Sequence, residues 1–550
     1  MSSADGAPRI TATAPARTAA TGPAWGSAGA VAGRPASPRF DPEPLLAAGT
    51  ATRLAEHLAA LDYTVDGVAD RLGPVGSAAL ARGWTAAAHR AAVGPSADGA
   101  STLIRLWPLQ EVVDLADVRA ALGDLVEPLT ASGVLRVAGS AVRAGVDIRP
   151  YGDEDTDQLV VCDLVHTLDG ATTAVPADHV PGVGGASTTL AQLTPRGRVG
   201  RALDLGTGNG VQSLSLAAHA GHVVATDTSR RALDMARLTV ALSGVADRVE
   251  LRAGSLLEPV AGERFDLVVS NPPFVVTPLA GRGEQPWERF DYRDSGLSGD
   301  DLGSALVGGL PDHLAPGGTA VLLANWVHRR GRDWQGRLAG WLEPALTAGC
   351  DAWVVQREVA DPAAYTETWL RDAALDRGSD GAARAAAWLA AFDDARIEGV
   401  GFGWVVLRAA GREPGTGSVR IEDWAHPVSW PLGDTVAAWA VAADALTGRS
   451  DSELAALRPR VAPGVDEERY GAPGAEEPRV IVLRQHTGLL RARAVDTATA
   501  GLVGACDGQL TVAAIAAALA DLLGEDPAAL RRGVLAATRE LLAEHFLLPG

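Results

Sequence analysis

The chain has 550 residues, 47% of them apolar and 21% charged, and Asp plus Glu outnumber Lys plus Arg 67 to 48 for a net charge of −19. That length predicts about three domains, and the charge excludes a general nucleic-acid binder. The sequence contains no lysine, so any RNA contact must rest on a local arginine patch.

Three scattered cysteines, Cys162, Cys350 and Cys506, form no Cys-x-x-Cys pair and no disulfide framework, which predicts a reducing, cytoplasmic setting. No apolar run approaches the roughly 20 residues of a membrane span, so a soluble protein with no membrane partner is expected. Residues 1–40 are rich in Ala, Pro, Gly, Ser and Arg without the apolar stretch of a signal peptide, and predict a disordered tail.

Residues 41–180 predict a small α+β domain. Leu54, Leu58 and Leu61 have helical spacing, and short helices are expected over 65–72, 115–122 and 125–129. Residues 134–137 and 142–148 then predict a hairpin. Helices followed by a small β-wing suggest a winged-helix-like module, either docking RNA or protein or capping the mouth of an active site. Residues 178–198 form a Gly-, Ser- and Thr-rich linker.

The core begins at Arg201. Ala202, Leu203 and Leu205 end a buried strand, and Asp204-Leu205-Gly206-Thr207-Gly208-Asn209-Gly210 turns into a helix near Val211. Glycines permit positive φ and let a ligand lie against the backbone. A second strand, 223–225, ends at Asp227, roughly 20 residues past the glycines, where an acid can accept both ribose hydroxyls or else cap the next helix. A third strand, 249–251, ends at Gly254-Ser255. A fourth, 265–270, delivers Asn271-Pro272-Pro273-Phe274 at its carboxyl end, where open parallel sheets place ligands.

The Asp-x-Gly-x-Gly-x-Gly spacing resembles motif I of class I S-adenosylmethionine (SAM) methyltransferases, and Asn-Pro-Pro-Phe resembles the motif of those that modify planar nitrogens. These include HemK-type glutamine N5-methyltransferases of release factors, ribosomal RNA guanine-N2 enzymes with a small methyltransferase domain, and adenine-N6 enzymes. The resemblance covers residues 185–410 and implies an α/β fold, a Rossmann-like seven-stranded sheet. It implies SAM as cofactor, held by Asp204, Gly206, Gly208, Gly210, Asp227 and Ser255, the last standing where the family usually has an acid. It also implies that the segment before the first strand folds over the cofactor, with Thr188, Thr189 and Gln192 near it.

The residue types fit that chemistry. An amide or base-amine nitrogen has a delocalised lone pair and is a poor nucleophile. The Asn271 side-chain oxygen and the Pro272 carbonyl can together accept both hydrogens of one NH2 group and aim its lone pair. Two prolines stiffen the turn and remove competing donors. Pro273 and Phe274 are expected to bind substrate, the ring offering a flat face to a planar group.

The loop 275–300 carries Arg282, Trp287, Arg289, Phe290, Tyr292 and Arg293 together with Glu284, Glu288, Asp291 and Asp294, and reads as a base-stacking, phosphate-binding surface or as a packed lid. Its end, 294–300, resembles a glycine-rich stretch of HemK-type enzymes. A helix over 302–314 and a strand over 319–325 follow, then His328, Arg329, Arg330 and Arg332, which bind phosphate or form a solvated face. Residues 353–359 and 402–407 complete the sheet, with inserted helices over 362–371 and 382–392 between them. Residues 411–550 predict a mainly helical accessory domain. His426 and His486 stand alone, and no metal site is expected.

The leading expectation is a SAM-dependent methyltransferase acting on an exocyclic amine of RNA, with RNA or a ribosome component as partner. A glutamine N5-methyltransferase acting on a release-factor protein is the alternative. A non-catalytic SAM-binding scaffold is a third reading.

Overall fold

The computed structural model describes residues 37, 39–94, 98–153, 156–170, 175–276, 300–372, 375, 378–474 and 478–550. The predicted tail, but for its last residues, and most of the loop 275–300 with its arginines, aromatics and glycine-rich end lie outside them.

The largest sheet is built from strands β1 (Val199–Leu205), β2 (Ala220–Asp227), β3 (Val249–Ala253), β4 (Phe265–Ser270), β5 (Leu314–Arg329), β6 (Cys350–Ala360), β7 (Ile397–Ala409) and β8 (Val419–Asp423). Their order across the sheet is β3-β2-β1-β4-β5-β7-β6-β8. Strands β1 to β5 pair in parallel, while β7 runs antiparallel to both β5 and β6. The first seven strands form the Rossmann-like sheet that the sequence predicts. Central strands such as Phe-Asp-Leu-Val-Val-Ser of β4 are near-continuous apolar runs because helices cover both faces of the sheet.

Alternate residues serve the two faces. On one side Ala202, Val223, Leu267, Val269, Val321 and Trp404 pack with helices α1 (Gly185–Leu193), α2 (Val211–Ala217) and part of α3 (Arg230–Leu242). On the other, Leu203, Val224, Val268, Leu322 and Val405 pack with α4 (Asp301–Gly309) and α5 (Trp334–Thr347). Helices α6 (Pro362–Asp372) and α7 (Gly378–Asp394) fill the connection between β6 and β7. There Tyr365 and Trp388 are buried.

The sheet does not stop at residue 410. β8 adds an eighth strand, parallel to β6 with Val354 opposite Ile421, and α8 (Gly433–Leu446) buries Val436, Trp439, Ala440 and Ala443 in the same core as β1 and β4. Beyond it, helices Thr497–Gly504, Val512–Leu523 and Pro527–Ala543 enclose a core of their own around Leu502, Ile515, Leu541 and Phe546, next to a three-stranded sheet.

The N-terminal part is also joined to the core. Its helices and the sheet formed by 113–114, 135–138 and 141–144 share one apolar cluster with Ala232, Met235, Leu238 and Leu242 of α3. The expected single hairpin is two. Residues 135–138 pair with 141–144, whereas Asp147–Asp153 pairs with Thr156–Cys162. The break falls at Gly145, where a Cβ would lie 2.1 Å from the Gly133 carbonyl. The helix that carries Leu54 and Leu58 starts only at Thr50, after positive φ at Ala48 and Gly49.

Candidate functional site

A cleft of about 300 Å³ opens at the carboxyl ends of β1, β2 and β4. Gly206, Gly208, Asp227, Ser255, Asn271, Pro272 and Pro273 all line it. The structure thus brings seven of the ten residues singled out in the sequence to one place.

The turn after β1 explains the glycines. Gly206 and Gly208 have φ of 77° and 56°. A methyl built on either would meet no atom within 4 Å, because both face open cleft. The amides of Gly206 and Thr207 donate to the Thr226 carbonyl, which ties the turn to the end of β2. Asp227 completes that tie: Oδ2 accepts from the Gly208 amide at 2.9 Å and Oδ1 from the Ser229 amide at 2.8 Å. Burial pushes the Asp227 carboxyl up while these backbone N–H groups pull it down.

Three residues lie off the lining. Asp204, 1% exposed, sits beneath the turn, where Oδ2 accepts from the Thr207 and Ser213 hydroxyls at 2.6 and 2.7 Å. These bonds hold the turn from below, and Asp204 itself does not line the cleft. Burial pushes its carboxyl up to about 6 against those two hydroxyls. Gly210 caps the start of α2 at φ 88°, and a Cβ there would crowd Ala236 of α3 at 3.2 Å, so this glycine serves helix packing. Phe274 is half-buried and packs edge-on against Trp369 of α6 with ring centroids 6.4 Å apart.

At the end of β4 the Ser270 hydroxyl donates to the Leu205 carbonyl at 2.8 Å and fixes this strand end to the glycine turn. Pro272 is buried, and Asn271 and Pro273 are half-buried on the cleft wall. Further on, the Val276 amide donates to the Tyr365 hydroxyl at 2.8 Å, so α6 anchors the chain leaving the motif.

Other lining residues carry no sequence signal. Leu256 stands at the rim, 39% exposed and at φ 49°, a left-handed conformation uncommon for leucine. His179, Val180, Pro181 and Gly182 form a strap along the cleft. Asn209 donates from Nδ2 to the Pro181 carbonyl at 3.0 Å, and Gln212 from Nε2 to the Ser187 carbonyl at 2.7 Å. Of the segment before β1, Ser187 lines the cleft, whereas Thr188, Thr189 and Gln192 do not.

The basic group at the end of β5 is dispersed. His328 pairs with Gln356 Oε1 at 2.7 Å, Arg329 donates to the Ala395 carbonyl, and Arg330 lies 4.0 Å from Asp393. His486 pairs with Asp466, and His426 packs edge-on against Trp424. Among the described residues, no three His, Cys, Asp or Glu side chains are grouped to hold a metal ion, and no helix is long and apolar enough to cross a membrane.

Residues 182–280 match a family model described as a methyltransferase small domain, and residues 60–145 match one described as a domain of unknown function. A release factor glutamine methyltransferase of Xylella fastidiosa (strain Temecula1) is 40% identical over 130 residues, 23% of this chain and 47% of that protein. A ribosomal protein uL3 glutamine methyltransferase of Bradyrhizobium diazoefficiens is 34% identical over 149 residues, 26% of this chain and 45% of that protein. A ribosomal RNA small subunit methyltransferase C of Salmonella gallinarum is 31% identical over 209 residues, 36% of this chain and 54% of that protein. The chain spans about half the length of the curated relatives it matches. The glycine turn, Asp227 and the Asn271–Phe274 motif all lie within the segment, residues 182–280, that is similar to the methyltransferase small domain.

Proposed function

We propose that this cleft binds S-adenosylmethionine and that the chain transfers its methyl group to a planar nitrogen held by Asn271 and Pro272. The observation that carries the proposal is that the acceptor-bearing motif at the end of β4 and the glycine turn with Asp227 line a single cleft. The residues fit the cofactor: Gly206 and Gly208 present bare backbone to open space, and the Asp227 oxygens keep lone pairs beyond the two amide bonds. Leu256 and Ser255 offer an apolar face and a hydroxyl at the rim for a base.

When bound, S-adenosylmethionine supplies a methyl on a positively charged sulfur. The work of the chain is to place the acceptor. Asn271 Oδ1 and the Pro272 carbonyl take the two hydrogens of one NH2 group and turn its lone pair toward the cleft. Neither proline has an N–H to compete for those acceptors, and Pro272, being buried, fixes its carbonyl. No strong base is required, because the nitrogen sheds a proton to water once it carries an extra methyl and a positive charge. Positioning and fixed dipoles supply the rate, on the order of 7–11 kcal/mol from positioning at most.

The acceptor we favour is the side-chain amide of a glutamine in a protein of translation. Its support is the 40% and 34% identity to glutamine methyltransferases and a net charge of −19, which opposes binding to a polyanion. The base amine of an RNA, ahead in the sequence reading, is the second reading, supported by the 31% identity to the ribosomal RNA enzyme over a longer span. The test is tritiated S-adenosylmethionine with this chain and extract from a strain lacking it. Label stable on glutamine of a protein supports the first acceptor, and label in RNA supports the second. No transfer to any nitrogen would overturn the proposal.

A further inference from the structure

The strap His179–Gly182 along the cleft is held by a residue of the N-terminal part, Asp163, which follows the strand Thr156–Cys162. Asp163 is 5% exposed. Its backbone amide donates to the Val180 carbonyl at 2.9 Å, and the Val180 amide donates back to its Oδ2 at 2.9 Å. The same carboxylate takes two hydrogen bonds from Arg231, one from Nε at 2.9 Å and a second from Nη2 to Oδ1. Arg231 lies in the first turn of α3, whose neighbours Thr228, Ser229 and Ala232 line the cleft just after Asp227. One buried ion pair therefore grips both walls, the strap on one side and the helix start on the other. The strap is fastened further by the bond from Asn209 to the Pro181 carbonyl and by the edge-on packing of His179 against His166.

We propose that Asp163 is a positioning residue for the cofactor, holding the strap closed so that the N-terminal part of the chain sets how long the cofactor stays bound. This rests on the reading of the cleft as an S-adenosylmethionine site. Asp163 touches no ligand itself; it acts through Val180 and Arg231. A strap closed in only about one molecule in ten weakens apparent binding about tenfold, and the loss falls on the release rate if closure follows binding.

The test measures S-adenosylhomocysteine on the full chain. Tritiated S-adenosylhomocysteine is chased with unlabelled compound for wild type, Asp163→Asn and Arg231→Gln, with thermal unfolding in parallel. Release about tenfold faster in either folded variant is expected. A rate within twofold of wild type in the folded variants would reduce Asp163 to a structural residue. Removing one partner of a buried pair can cost several kcal/mol and unfold the chain, so hydrogen exchange on wild type supplies a second measure. The Val180 and Gly182 amides should exchange more slowly with S-adenosylhomocysteine bound, and an unchanged rate overturns the clamp. If wild type binds no S-adenosylhomocysteine, the reading of the cleft fails first and the clamp with it. Binding with an indifferent strap removes the clamp alone.

Discussion

Replacing Asp227 with alanine tests the cofactor site without needing the acceptor. In the native chain both carboxylate oxygens accept backbone N–H bonds, from Gly208 and Ser229, and the residue lines the cleft with lone pairs to spare. Hydrogen bonds to a charged group contribute about 1.5–3 kcal/mol each. Loss of one ligand bond therefore weakens binding roughly 10- to 150-fold, and loss of both weakens it further. The truncation also frees the Gly208 amide, so the turn becomes less ordered. Asp227→Asn separates the effects, because one side-chain oxygen remains but its NH2 must face a backbone N–H donor. Calorimetric titration with S-adenosylhomocysteine, beside a thermal melt, measures both. An Asp227→Ala protein that melts like wild type and binds within twofold of it would refute the assignment.

Asp204 carries a pH signature. Its carboxyl is pushed up to about 6, so the fold favours the protonated form, and this contribution is present below the ordinary carboxylate range and lost as pH rises through about 6. Denaturant unfolding from about pH 4 to pH 7 should show wild type losing on the order of 1–3 kcal/mol that Asp204→Asn does not lose; parallel curves would remove the claim. Met235→Ala cuts into the cluster shared by α3 and the N-terminal helices. It should cost about 2–5 kcal/mol, and the N-terminal part and the sheet should unfold together, whereas separate transitions would contradict a common core. Gly208→Val forces a branched side chain to φ 56° and into the cleft. S-adenosylhomocysteine binding should fall by more than about tenfold, and retained affinity would show that the ligand does not approach this turn.

The core of the fold was legible because its signals are local. Apolar strands ending at Gly206, Asp227 and Asn271 announce a parallel sheet with ligands at its carboxyl edge, and all three residues line the cleft. What stayed hidden depends on distant partners. β8, Val-Arg-Ile-Glu-Asp, has too little apolar content to read as a strand, yet it pairs with β6 across the sheet edge. Helix α8 lies in a Trp- and Pro-containing stretch that reads as a separate domain, and only its packing on the sheet assigns it to the core. The strap around Pro181 has no periodicity, and its place is set by Asp163 and Asn209. Asp204 shows what a local signal omits. An acid beside a glycine turn reads as a ligand group, but burial and two hydroxyls turn it inward. The edge-on contact of Phe274 with Trp369 of α6 likewise depends on a partner far along the chain.

The central claim concerns two oxygens at the end of β4, and Asn271→Ala addresses it most directly. Methyl transfer from tritiated S-adenosylmethionine into the extract fraction labelled by wild type should fall by at least about 100-fold, as when a preorganised polar group is removed. The dissociation constant for S-adenosylhomocysteine should stay within about twofold of wild type, since the glycine turn and Asp227 are untouched. Transfer at the wild-type rate by a folded Asn271→Ala protein would contradict the account.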